Sequence, residues 1–230
     1  MNKFLATFAT TAFFLMAGAA LADNLTLTLT GAGSVVYDDA ARGGIYVGPY
    51  QVSVNSEPSS PMICDDYATE ISVQSNWSAN AYTFGQLSQT KFYGNASFGN
   101  APLGAAQAYE EVFYLSAQMM LQTDSTNYAA IHYAIWQIMD PGDNPANNGP
   151  TASVSAWLAQ AADPGNWQNV NTSDFLVYTP TVLATSGPGA SQEFIQVIDP
   201  NNATVPLPPT IILLAAGLLG LVGLRKRPKK

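Results

Sequence analysis

Positive charge, cysteine and histidine are all scarce in this chain. Of its 230 residues eight are Lys or Arg, against 16 Asp and Glu. Five of those eight, Arg225, Lys226, Arg227, Lys229 and Lys230, crowd into the last six positions. Between residues 23 and 204 only Arg42 and Lys91 remain, facing all 16 acids, a formal charge of −14 for that stretch. Such a surface repels nucleic acid, whose backbone is bound through Lys and Arg, so no nucleic-acid partner is expected. A single cysteine, Cys64, excludes an internal disulfide. One cysteine and one histidine, His132, fall short of the clustered ligands zinc needs. The hard oxygen ligands of Asp140-Pro141-Gly142-Asp143-Asn144 lack the spacing and terminal Glu of an EF-hand and read as an acidic loop. No phosphate-cradling glycine loop, nucleophilic-serine motif or repeat of about 20–50 residues occurs. Neither a metal nor a cofactor is expected, and the chain does not read as an enzyme.

What is present is concentrated at the two ends. Lys3 is followed by an apolar run from Phe4 to Ala20, broken only by Thr7, Thr10 and Thr11. Ala20-Leu21-Ala22 then supplies the small-x-small site of a signal peptide spanning residues 1–22, with the mature chain starting at Asp23. At the other end, residues 210–224 carry no charge, and Arg225, Lys226 and Arg227 follow at once. A helix over that run rises about 22 Å, and snorkelling basic side chains with an interfacial Val205–Pro209 bring it to the ~30 Å of a hydrocarbon core. The basic tail belongs in the cytoplasm, which puts everything before it outside. Export across the inner membrane and attachment through residues 210–224 are the expectation.

Val205-Pro206-Leu207-Pro208-Pro209, the apolar run and the basic cluster, in that order, resemble the PEP-CTERM sorting signal in its VPLPA-type variant. Leu207 stands where the name-giving motif has an acid, and Pro209 where the variant has Ala. The resemblance implies a partner, an exosortase-type membrane enzyme that cuts near the proline motif. The protein would then reach the cell surface or be secreted. The prolines themselves stop a helix and keep residues 205–209 extended.

Residues 23–204 remain as one exported domain, large enough for its own core. Leu25, Leu27 and Leu29 alternate with threonines, the period of a half-buried strand. Further strands are expected over Ile45–Val54 (interrupted at Gly48-Pro49), Ile71–Val73 and Ala81–Phe84, with a loop over Glu57–Pro61. Three helices follow: Leu103–Gln122, Asn127–Met139 capped by Ser125, and one capped by Thr151 that runs to Ala161. Strands return at Phe175–Tyr178 and Phe194–Ile198, on either side of a Gly/Pro turn at Ser186–Ala190. The fold class is α+β, with sandwich or barrel-like strands around a central helical insert, plus the signal peptide and one C-terminal transmembrane helix.

Two short segments of this domain stand out. Met62-Ile63-Cys64-Asp65-Asp66 has an apolar residue before a cysteine and an acid after it. Asn127–Ile138 contains Ala134-Ile135-Trp136. Together with Ser191-Gln192-Glu193-Phe194-Ile195 as a final strand, these resemble bacterial surface thioester domains. In those domains a Cys and a Gln side chain join as an internal thioester that acylates an amine or hydroxyl on another surface. The resemblance puts Cys64 at the thiol position. It puts His132 at the glutamine position, and imidazole has no carboxamide to give. Gln137 lies on another side of the same helix, about 140° away. A degenerate thioester-like domain with an adhesion or structural role follows, its partner an exopolysaccharide or surface matrix. Two alternatives stay open: a covalent thioester adhesin or Cys–His hydrolase using Cys64, and a carbohydrate-binding module. The second would use Trp77, Tyr82, Phe84, Phe92, Tyr93 and Phe98, aromatics set among amides and hydroxyls.

The sorting signal is directly testable. In cells that carry the processing enzyme, replacing Pro206 and Pro208 with Ala should leave an uncut, membrane-bound form, seen by immunoblot of membrane and medium fractions. Normal processing of the double variant would remove the assignment.

Overall fold

The structure, a computed structural model, describes residues 24–94, 104–122, 125–183, 187–188 and 191–198. The segment expected to be a signal peptide, the proline motif, the C-terminal apolar run and its basic tail lie outside the described residues. Ten strands and five α-helices are present among them. The strands are β1 (Leu25–Gly31), β2 (Val35–Asp39), β3 (Gly43–Val47), β4 (Tyr50–Val54), β5 (Ser60–Cys64), β6 (Thr69–Glu70), β7 (Asn76–Tyr82), β8 (Phe175–Pro180), β9 (Gly187–Pro188) and β10 (Phe194–Val197). The helices are α1 (Lys91–Gly94), α2 (Ala105–Met120), α3 (Tyr128–Met139), α4 (Thr151–Ala161) and α5 (Pro164–Trp167). All five lie between β7 and β8 in the chain.

Six strands close a barrel in the order β1-β4-β5-β10-β8-β7. Successive side chains on a strand point to opposite faces, so one short sequence serves two cores. Met62 and Cys64 of β5 and Phe194 of β10 fill the barrel with Leu25, Leu27, Leu29, Val52 and Trp77. The intervening Ile63 and Ile195, with Phe175 and Val177 of β8, face outward and pack under α2 and α3. Phe113 of α2 stacks on Phe175, with ring centroids 4.5 Å apart. On β1, by contrast, the outward threonines Thr26, Thr28 and Thr30 are only exposed or half-buried, so the leucine–threonine alternation is plain in the sequence.

Several boundaries differ from expectation, each for a physical reason. Ile71–Val73 is not a strand. The strand there is β6, which pairs in parallel with β9 through Thr69↔Gly187 and Glu70↔Pro188. That pairing also places a strand where a Gly/Pro turn reads from sequence. β5 begins inside the expected loop, because Pro61 needs no ladder bond on the β10 side, where pairing starts at Met62. β7 starts at Asn76 and stops before Phe84, which opens a 3₁₀ turn. Its inward residues include small alanines, 79 and 81, that give little hydrophobic signal. The hairpin β2–β3, in register Val36↔Tyr46, supplies a strand not expected at all. Ser125 and Thr151 are not caps: Ser125 opens a 3₁₀ turn before α3, and Thr151 is the first residue of α4 after Pro150.

Phe194 is fully buried, and its ring meets Tyr50 and Trp77 at 5.7 Å each. Phe194→Ala should cost about 3–5 kcal/mol, read as a lower denaturation midpoint in urea. A loss under about 1 kcal/mol would mean that this side chain does not hold the barrel together.

Candidate functional site

β5 ends at Cys64, opposite Phe194 of β10. The last carbonyl of a buried strand needs a donor, and α3 provides two. His132 Nε2 lies 2.7 Å from the Cys64 carbonyl oxygen, and Trp136 Nε1 lies 3.1 Å from the same atom. Positions 132 and 136 are one helical turn apart, so both rings face the strand end, 4.1 Å between centroids. His132 Nδ1 accepts the backbone N–H of Gly48 at 3.0 Å, so Nε2 carries the proton and donates it to Cys64. Gly48 sits at φ +91°, and a Cβ there would come within 2.8 Å of the Tyr128 ring. Only glycine brings its N–H this close to the helix. Burial pushes the His132 pKa down to about 3, the bond to Cys64 partly opposing it. The imidazole is neutral, with both nitrogens bound to backbone.

Cys64 is a free, fully buried thiol. Its Sγ–H donates to the carbonyl of Asp66 at 3.4 Å, not to the imidazole. Burial, and then the neighbouring charges of Asp66 and Asp65, push the thiol pKa well up. His132 thus meets the Cys64 main chain and leaves its sulfur alone. The thiolate–imidazole pair of a Cys–His hydrolase is not formed, because the ring has no free lone pair to take the proton.

A carboxamide nevertheless reaches the sulfur's surroundings. Gln192, two residues before Phe194, donates from Nε2 to the Asp66 carbonyl at 3.1 Å and also to the Thr69 carbonyl. The Cys64 thiol and the Gln192 amide therefore share one acceptor oxygen. The Gln192 side chain is buried, and its Oε1 has no hydrogen-bond partner among the described residues. His132, at the glutamine position of the resemblance, does lie at Cys64, but against its carbonyl and not its sulfur. The usable signal was strand alternation, which puts Gln192 on the same face as Phe194 and so on the Cys64 side. Gln137, the other carboxamide considered, accepts the Ala146 N–H at 2.9 Å and closes a turn.

Ionisable groups surround the pair. Lys91 is fully buried in an ion pair with Asp66. Its backbone N–H donates to Glu193 Oε2 at 2.8 Å, and Tyr109 and Thr179 donate their hydroxyls to the same carboxylate. Asp65, also fully buried, has its pKa pushed well up by burial and then by the charge of Glu193. Neither of its carboxyl oxygens has a hydrogen-bond partner among the described residues, and burial favours its neutral form.

A cavity of about 420 Å³ opens beside these residues, with Gln192, Asp66, Trp136 and Tyr50 along one side and Arg42 and Glu70 along another. Arg42 lies 4.1 Å over the Tyr67 ring and donates to the Tyr67 carbonyl at 2.6 Å and to Asp143 at 3.3 Å. Asp143 is thus engaged by arginine. No group of three His, Cys, Asp or Glu residues positioned for a metal occurs among the described residues. The aromatic platform expected for sugars is not assembled. Trp77 and Phe92 are buried, Tyr82 and Phe84 half-buried, and Tyr93 is exposed. Phe98 lies outside the described residues.

Neither a protein-family model nor a curated protein matches the chain. Among solved structures it is similar to the N-terminal thioester domain of the fibronectin-binding protein SfbI from Streptococcus pyogenes, at 11% identity and TM-score 0.44, covering 75% of this chain and 92% of that one. The thioester domain of a protein F2 like fibronectin-binding protein from Streptococcus pneumoniae is similar at 12% identity and TM-score 0.44, with the same coverages. The N-terminal domain of the Streptococcus pyogenes pilus tip adhesin Cpa is similar at 7% identity and TM-score 0.40, covering 74% and 98%. These are distant likenesses, and the chemistry of this chain is read from its own residues.

The depressed His132 pKa has a sign. The unfolded chain takes up a proton near pH 6.5, the folded one only near pH 3. Stability from this residue is therefore complete above pH 6.5 and is lost as pH falls toward 3, by an amount of the order of a few kcal/mol. Asp65, Glu193 and Asp140 act oppositely, since their raised pKa values favour the folded state on acidification. His132→Gln keeps one donor and one acceptor and removes only the first effect. Between pH 6.5 and about 4 the variant should lose less stability than the wild type in urea titrations. Superimposable pH curves would contradict the assignment.

Proposed function

We propose that this chain is an exported surface protein of adhesin type, in which Cys64 and Gln192 condense to an internal thioester that acylates a nucleophile on another surface. The observation that carries this reading is the shared acceptor. Thiol and carboxamide converge on the Asp66 carbonyl oxygen, one from the end of β5 and the other from the segment just before β10. Residues held this rigidly lose little entropy on reaction.

In the closing step Cys64 Sγ attacks Gln192 Cδ. The S–C bond forms, the C–N bond breaks, and the nitrogen leaves as ammonia with the thiol proton. Asp65, protonated and next in the chain to the thiol, is the acid at hand for the departing nitrogen. His132 and Trp136 are positioning residues that fix the end of β5 through the Cys64 carbonyl. In the second step an amine or hydroxyl attacks the same carbon. An amide or ester to residue 192 forms, and the thiol is released. The cavity supplies the approach: Gln192 lies on its wall, while Glu70 and Tyr46 on the same lining reach solvent. Each molecule reacts once, so the domain is a covalent adhesin and not a turnover enzyme. The C-terminal signal fits this role, since exosortase-type processing would deliver the domain to the cell surface or its matrix.

The full chain should be about 17 Da lighter than its sequence, and methylamine should add about 31 Da to that form while freeing the thiol. Cys64→Ala and Gln192→Ala should each abolish both changes. A full-mass protein that methylamine leaves unaltered would sink the reading.

A further inference from the structure

A second covalent possibility lies beside the first and does not depend on it. Lys91, at the start of α1, and Asp66, just after β5, are both fully buried and in contact. The two carboxyl oxygens of Asp66 sit in different settings. Oδ1 accepts the backbone N–H of Thr69 at 3.3 Å, while Oδ2 faces the Lys91 amine. The Asp66 main chain is fixed, because its carbonyl takes both the Cys64 and Gln192 donors. The Lys91 main chain is fixed by its N–H to Glu193. Amine and carboxyl are thus held against each other by bonds that do not involve their own reactive atoms. A buried ion pair carries a heavy desolvation penalty that a neutral amide does not. Two further buried acids, Asp65 and Asp140, both feel the charge of Lys91, and burial favours their protonated forms.

We propose that Lys91 and Asp66 condense to an internal amide, a cross-link between the start of the helical insert and the end of β5. The ammonium first gives a proton to the Asp66 carboxylate, leaving a neutral amine and a neutral acid. Lys91 Nζ then attacks Asp66 Cγ. The Thr69 N–H stabilises the charge that develops on Oδ1, the role of an oxyanion donor. A protonated neighbour, Asp65, passes a proton to Oδ2 and recovers one from Nζ. The Cγ–Oδ2 bond breaks and one water leaves. No oxidant or co-reactant is needed. The product ties α1 to the strand that carries Cys64, so that pulling on a covalently captured domain would not unravel the insert from the reactive strand.

The full chain, denatured in urea and digested with a lysine-specific endoproteinase, tests this. An amidated Lys91 is not a substrate, so the cut after residue 91 should be missing while Lys3 and Lys226 are cut. Tandem mass spectrometry should find residues 66 and 91 in one uncut peptide, 4–226, with a deficit of about 18 Da and no backbone fragments released between them. Methylamine should leave that deficit in place, which separates it from the thioester. Lys91→Arg keeps the charge and should remove the deficit. Quantitative cleavage after Lys91 in the wild-type protein, with both peptides at full mass, would overturn the proposal even if the variant failed to fold.

Discussion

The pairing of Cys64 with Phe194 is the contact on which the rest of this architecture depends. It joins β5 to β10, closes the barrel between its early and late strands, and sets which residues face inward on both. Cys64 and Phe194 then share the barrel interior, and Ile63 and Ile195 share the helical core. A slip of one residue would exchange those faces and bury the wrong side chains on both. From the same register it follows that Gln192 falls beside Asp66, at the place where the thiol of Cys64 also ends.

Hydrogen bonds at the end of β5 explain why a histidine is tolerated where the thioester-domain resemblance places a glutamine. Neutral imidazole offers one donor and one acceptor, as a carboxamide does at its simplest. Here the donor goes to the Cys64 carbonyl and the acceptor to the Gly48 amide. Position 132 therefore holds strand to helix and hairpin, a task that imidazole performs with its charge suppressed by burial.

Electrostatics gives the region its other character. Residues 23–204 contain two basic residues, and both are engaged close to the cavity. Arg42 lies against Tyr67 at the rim, and Lys91 lies underneath with Asp66. One buried amine among Asp65, Asp66, Asp140 and Glu193 cannot balance them all as ions. Burial therefore raises the pKa of Asp65, Glu193 and Asp140 (the last to about 6). A concentration of buried carboxyls around one amine is costly for a core.

By itself the sequence determined the α+β class, the helices over 105–120, 128–139 and 151–161 to within about two residues, and the half-buried strand of alternating leucines. Each rests on local periodicity, which needs no knowledge of distant partners. It also singled out Cys64 and His132, because a lone cysteine and a lone histidine are visible in composition. Tertiary structure alone decided what those residues touch. The parallel β6–β9 pair, the β5 strand running through Pro61 and the approach of Gln192 to the Asp66 carbonyl join positions up to 126 residues apart. No local pattern encodes such a pairing, since a carboxamide has the same sequence signature whether it meets water or a thiol. Only the closed barrel, with its register fixed by burial on two faces, brings Gln192 and the Cys64 thiol to one carbonyl oxygen and sets His132 against the Cys64 main chain.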